Sequence, residues 1–139
     1  MKYTIVMIMS LTLFLSGCSD PKSVEEGQKF GKGKSVVECN NRAMEMIIEC
    51  NVTACDIKPE DFAKGCAMMS SYEKTYCETM PLQSAFQTVK WVEEQCASHK
   101  DPKACNDVLK HAAGRCIAGK PEIVKTKSEG ASEEAPPTR

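Results

Sequence analysis

Nine cysteines are the residues of this 139-residue chain best suited to chemistry. Cysteines form disulfides in an oxidising compartment, bind metal ions as thiolates, or react as nucleophiles. Their spacing separates these uses. No Cys-x-x-Cys pair occurs, so the usual redox-active and zinc-finger spacings are missing, and with them the Cys-x-x-Cys-His motif of haem attachment. The count is odd, so disulfide pairing alone would leave one cysteine without a partner.

Residues 1–17 have the layout of a secretory signal peptide. Lys2 precedes an uncharged apolar run, too short to span a bilayer, and small residues follow that run. The last four residues of the segment, Leu15-Ser16-Gly17-Cys18, resemble the lipobox of bacterial lipoproteins. The resemblance implies that the chain is cleaved before Cys18, which then carries a diacylglycerol on its sulfur and a fatty acyl group such as palmitate on its amine.

The same resemblance implies a location. In the sorting of Gram-negative lipoproteins, a non-acidic residue after the lipidated cysteine favours the outer membrane. Ser19 holds that position, and Asp20 follows it. We therefore expect a lipid-anchored protein of the cell envelope, on the periplasmic face of the outer membrane, where conditions are oxidising.

Eight cysteines remain once Cys18 is assigned to the lipid, and we predict that they form four disulfides. They are Cys39, Cys50, Cys55, Cys66, Cys77, Cys96, Cys105 and Cys116. The commonest interval is eleven residues, or three helical turns, which places both ends of the interval on one helix face. Two sets of bridges between antiparallel helices are equally permitted, and the sequence does not choose between them. They are Cys39–Cys116 with Cys50–Cys105, and Cys39–Cys77 with Cys50–Cys66.

Local signals predict an all-α fold, a small disulfide-stapled bundle of about four helices in residues 35–119. A capping box begins the first helix, and a proline near the start of each begins the others. These starts are Ser35 with Glu38, Lys58-Pro59, Pro81 and Asp101-Pro102. The second stretch is expected to break near Ser70, with a new turn capped between Ser70 and Glu73, and Gly119 is expected to cap the last helix. The apolar stripe of the third helix comprises Ala85, Val89, Val92 and Cys96.

The two ends of the mature chain lack the apolar residues needed for a core. Residues 18–34 are polar and contain three glycines, so we expect a lipidated, flexible tether there. Residues 120–139 are expected to form a disordered tail for the same reason. The domain organisation is therefore a signal peptide, a tether, one cysteine-rich helical domain and a tail.

Few residues suggest catalysis or metal binding. A zinc site can be drawn from Cys96, His99, Cys105 and His111, but the spacing does not match a usual finger. Methionines and cysteines suit Cu(I), but copper-storage helices repeat cysteine every four residues. A periplasmic copper- or zinc-binding module is retained as an alternative function, although we predict no cofactor. No phosphate loop, serine elbow or paired-carboxylate motif occurs, and we predict neither an enzyme nor a small-molecule substrate. The balance of 18 basic and 19 acidic residues argues against a nucleic-acid partner.

One internal segment carries a second resemblance. From Cys96 to Cys105 the sequence reads Cys-Ala-Ser-His-Lys-Asp-Pro-Lys-Ala-Cys. It is similar to the compact cysteine pair, with Asp-Pro just before the second cysteine, of exclusion lipoproteins from plasmid conjugation systems. The resemblance implies a non-catalytic interaction protein that serves conjugation or secretion by acting in exclusion, with an envelope protein as its partner. A pilotin-like or assembly lipoprotein, which escorts an outer-membrane partner, is the alternative.

Overall fold

Six helices make up the part of the chain that the structure, a computed structural model, describes, which is residues 19–120. They are α1 (Pro21–Gly31), α2 (Val36–Cys50), α3 (Pro59–Met69), α4 (Lys74–Cys77), α5 (Ala85–Cys96) and α6 (Pro102–Gly119). Within that range no strand forms, apart from one isolated bridge between Ser35 and Ser71. The prediction of a small all-α fold stapled by four disulfides is confirmed. The predicted signal peptide, Cys18 and the predicted tail beyond Lys120 lie outside the described residues.

Two of the predicted helix starts have the expected capping geometry. At α2 the Glu38 carboxylate accepts the Ser35 N–H at 2.8 Å, and the Ser35 hydroxyl accepts the Glu38 N–H at 3.4 Å. At α6 the Asp101 carboxylate accepts the Ala104 N–H at 3.0 Å, and proline occupies the first helical turn. Each bond satisfies a backbone donor that the helix leaves unpaired. Gly119 differs slightly from its prediction, because it is the last residue of α6 and Lys120 is the C-cap.

The middle of the chain contains the predicted break. α3 ends at Met69 with Ser70 as its C-cap, and the new turn, α4, is capped by Glu73, whose carboxylate accepts the N–H groups of two following residues. The next helix, α5, starts at Ala85 and not at Pro81. The Ser84 side chain accepts a backbone N–H from the first turn of α5, whereas Met80, the residue before the proline, has no side-chain acceptor of that kind.

The predicted tether is wrong for residues 19–34, because this segment contains α1 and packs against α3. The two helices approach so closely that glycines are required at the crossing. A methyl group on Gly27 would lie 2.1 Å from the Phe62 carbonyl oxygen, and one on Gly65 would lie 2.0 Å from the Val24 carbonyl oxygen. The folded domain therefore includes residues 19–34, ahead of the predicted boundary at residue 35, and its described part contains two more helices than the four expected.

α3 and α6 form the centre of the bundle. α3 contacts α1, α2 and α6, and α6 also contacts α2 and α5. The larger core cluster lies among these helices and includes Ile47, Phe62 and Val108. A smaller cluster surrounds the Cys77–Cys116 disulfide, and the partly buried Trp91 packs against both clusters. This arrangement leaves one side of α6 uncovered, with a groove on each side of that exposed strip.

Candidate functional site

All eight cysteines of the described domain are paired with one another. The bonds are Cys39–Cys66, Cys50–Cys55, Cys77–Cys116 and Cys96–Cys105. Cys96 and Cys105 therefore offer no thiolate to the zinc site that the sequence suggested together with His99 and His111. No group of three or more metal-ligating side chains occurs between residues 19 and 120. The disulfides stabilise the fold because they reduce the conformational entropy of the unfolded chain.

Neither of the two bridge sets that the helical spacing permitted is present. Cys39 bonds to Cys66 because the start of α2 packs against the last turn of α3. Cys50, at the end of α2, is only half-buried, and the loop that follows returns Cys55 to it within five residues. The break at Ser70 separates Cys77 from α3 and places it in α4, against α6 and Cys116. The eleven-residue spacing joins cysteines of one helix in α2 and in α6, but Cys66 and Cys77 lie in different helices. The spacing also could not indicate which helices are neighbours.

The first residues of the domain are held by a polar network. The Asp20 N–H donates to the Asp61 carboxylate at 2.8 Å, and the Asp20 carboxylate caps α1 by accepting the Ser23 N–H at 2.9 Å and the Ser23 hydroxyl. The hydrogen bonds from Ser23 lower the pKa of Asp20. The fully buried Ser23 hydroxyl in turn accepts the Lys58 N–H at 2.9 Å. The residue that follows Cys18 is therefore attached directly to a fixed part of the domain.

A first groove lies between α5 and α6, has a volume of about 420 Å³, and is mainly apolar. Its walls are Leu82, Ala85, Thr88, Val89, Val92, Lys110, Ala113, Gly114 and Ile117. Only the half of the α5 stripe near Val92 and Cys96 is buried, while Val89 remains 46% exposed. Phe86, which follows Ala85 on the same helix, is 77% exposed. The predicted apolar stripe is therefore buried only in its second half, and Ala85 and Val89 of its first half lie at this groove.

A second groove, of about 320 Å³, lies between α3 and α6 and combines small apolar residues with basic ones. Its walls are Lys64, Ala67, Met68, Lys110, His111, Gly114, Arg115 and Ala118. Burial lowers the pKa of His111, and the nearby charge of Lys64 contributes in the same direction. Lys110 and Gly114 belong to both grooves, so the two form one continuous surface across α6.

The edge of this second groove reaches the N-terminus of the domain. The Lys64 ammonium donates to the Ser19 hydroxyl at 3.1 Å, so a groove residue contacts the residue next to Cys18. Lys64 and Arg115 have no carboxylate within ion-pair distance among residues 19–120, whereas Lys110 lies 3.6 Å from Asp107. Sequence reasoning did not identify these basic residues, because they are far apart in the chain and no motif joins them.

Comparisons with protein-family models, curated proteins and solved structures give no match for this chain. The described helices include none that is both long and apolar enough to cross a membrane. The candidate site thus consists of two adjoining surface grooves, one of which contacts Ser19 at the start of the described residues.

Proposed function

We propose that this chain is a non-catalytic, lipid-anchored interaction protein of the cell envelope, held by Cys18 at the periplasmic face of the outer membrane. The pairing of the other eight cysteines supports the anchor, because it leaves Cys18 without a disulfide partner in its own chain. The lipobox-like residues before Cys18 and the non-acidic Ser19 after it favour the same assignment.

The α5–α6 groove carries the interaction role. Exposed apolar patches rimmed by polar residues often mark protein-interaction sites or ligand-binding grooves. The groove lies between two helices and is lined by aliphatic side chains, a shape and chemistry that suit the apolar face of a third helix. We therefore assign the groove to an amphipathic helix of an envelope protein.

A pair of matched substitutions tests this assignment. Val89→Asp places a charge in the groove, whereas Val52→Asp places the same charge on a loop residue that is 81% exposed and outside the groove. Crosslinked complexes would be recovered from envelopes of the native host and identified by mass spectrometry. We expect a defined envelope protein to be captured by the wild type and by Val52→Asp, and to be lost with Val89→Asp. Equal capture by all three proteins would contradict the assignment.

Exclusion in conjugation is the more specific role that we propose. The segment that resembles exclusion lipoproteins is closed by the Cys96–Cys105 bond, and Asp101 within it caps α6, so it forms a stapled turn between α5 and α6. Expression in recipient cells should reduce plasmid transfer, and Val89→Asp should restore it. Unchanged transfer, together with an outer-membrane partner that loses its location when the chain is deleted, would identify the pilotin-like role instead.

A further inference from the structure

We infer that the α3–α6 groove is a membrane-contact site that binds the phosphate headgroups of anionic phospholipids. The inference rests on the proposed anchor at Cys18, and it assigns to the domain a second contact with the membrane besides the lipid. It concerns the groove between α3 and α6 and not the neighbouring α5–α6 groove, to which the partner helix is assigned.

The α3–α6 groove lies beside the residue that follows Cys18. Cys18 is followed at once by Ser19, whose hydroxyl accepts a hydrogen bond from Lys64 on the wall of the groove. The network from Asp20 to Asp61 and the glycine crossing of α1 with α3 fix Ser19 relative to the rest of the domain. A lipid on Cys18 is therefore bonded to the residue directly before Ser19, which contacts the wall of this groove.

The α3–α6 groove is rich in positive charge. Three cations, Lys64, Lys110 and Arg115, line the groove, and one carboxylate, on Asp107, pairs with one of them. The Arg115 Nε–H is buried within the domain and has no hydrogen-bond acceptor among the described residues. Arginine and lysine in such a pocket match the charge and the oxygen acceptors of phosphate groups. Basic residues close to an anionic membrane surface strengthen its binding.

The α3–α6 groove also has exposed apolar side chains at its α3 side. Met68 is 61% exposed on the α3 side of the groove, and Met69 next to it is 43% exposed. The groove floor between them and α6 is formed by alanines and Gly114. Flexible apolar side chains beside cations are typical of protein surfaces that lie at the boundary between headgroups and acyl chains. The position, charge and apolar character of the α3–α6 groove thus all favour a phospholipid membrane as its binding partner.

Vesicle binding by an unlipidated protein tests this site separately from the anchor. The chain from position 18 with Cys18→Ser would be mixed with vesicles of equal parts phosphatidylglycerol and phosphatidylcholine, or of phosphatidylcholine alone, and sedimented. We expect binding to the anionic vesicles, weakened about thirtyfold by Lys64→Gln with Arg115→Gln. The control pair, Lys74→Gln with Lys90→Gln, removes the same charge at residues of α4 and α5 outside the groove and should change binding less than twofold.

A fluorescence measurement on the lipidated protein tests the orientation. In a Trp91→Phe background, a tryptophan would be introduced by Met68→Trp or, as the control, by Phe86→Trp on α5. Brominated phospholipids should quench the first more strongly than the second. Equal quenching at both positions, equal binding to neutral and anionic vesicles, or equal losses for the two lysine-containing pairs would each overturn the inference. An unmodified Cys18 would instead refute the proposed anchor, while vesicle binding by the Cys18→Ser chain would still report on the groove.

Discussion

Replacing glycine by alanine should have opposite effects on stability at two helical positions. Gly65 lies in the crossing of α1 with α3, whereas Gly114 lies on α6 outside that crossing. Gly65 and Gly114 both lie inside helices, where alanine is intrinsically preferred by about 1 kcal/mol. A methyl group on Gly65 would meet the Val24 carbonyl oxygen at 2.0 Å, but one on Gly114 would meet no atom within 4 Å apart from its own helix backbone and chain neighbours. The same substitution should therefore destabilise the domain at Gly65 and stabilise it at Gly114.

The magnitude follows from the rigidity of the contact. The atom that a methyl group on Gly65 would strike is a helix backbone oxygen, which cannot rotate away, so α1 must move by about 1 Å or detach. Overpacking of this kind costs about 3 kcal/mol, and the helix-propensity gain offsets about 1 kcal/mol. We expect Gly65→Ala to lower the free energy of unfolding by about 2 kcal/mol and Gly114→Ala to raise it by about 1 kcal/mol. For a domain of this size, these changes shift Tm by roughly −10 °C and +5 °C.

Thermal and urea unfolding followed by circular dichroism would measure both variants under oxidising conditions. Limited trypsin digestion adds a local readout, because Lys29 and Lys32 lie at the end of α1 and should become susceptible when α1 detaches. A Gly65→Ala protein as stable and as resistant as the wild type would refute the reasoning. It would mean that residues 19–34 behave as the tether that their composition suggests.

Three further predictions concern individual side chains. Burial raises the pKa of Tyr76 to about 12, so absorbance titration at 295 nm should contain a phenol that ionises near 12 and is lost in Tyr76→Phe; titration of every phenol near 10 would contradict this. Because the pKa of His111 in the fold is below its ordinary value of 6.5, the unfolded chain takes up the proton first. Stability should therefore fall as pH drops from 6.5 towards the lowered pKa, and His111→Gln should flatten that part of the urea-unfolding profile; an unchanged slope would show that His111 is not responsible. Replacing the Cys77–Cys116 pair by alanine should cost about 4 kcal/mol in urea unfolding, and replacing Cys50–Cys55 about 2 kcal/mol, because the sequence separations are 39 and 5 residues; equal losses would count against loop length as the cause.

Local signals in the sequence predicted the helix starts where a side chain near the backbone decides the outcome. The capping box at Ser35 and the Asp-Pro pair at 101–102 are examples, since both act within four residues. The same logic would have located α1, because Asp20-Pro21 is also an N-cap followed by proline. The glycines of this segment indicated flexibility instead, because their role depends on the close approach of α3, which is distant in sequence.

The grooves and the disulfide pairing depend on tertiary structure in the same way. Val89 repeats with the buried Val92 at helical spacing, but none of the described helices covers its end of α5. Lys64 and Arg115 are 51 positions apart in the sequence and meet only because α3 packs against α6. Periodicity shows which face of a helix is apolar, whereas the identity of the covering element depends on how the whole chain packs.

Mass spectrometry of the N-terminal peptide from membranes of a Gram-negative host tests the central claim most directly. Because the other eight cysteines are paired with one another, the account predicts a mature chain that begins at Cys18, with a diacylglycerol on sulfur and an acyl chain on the amine. It also predicts no free thiol in the exported protein. An uncleaved N-terminus, or a Cys18 that carries a free thiol, would contradict the account.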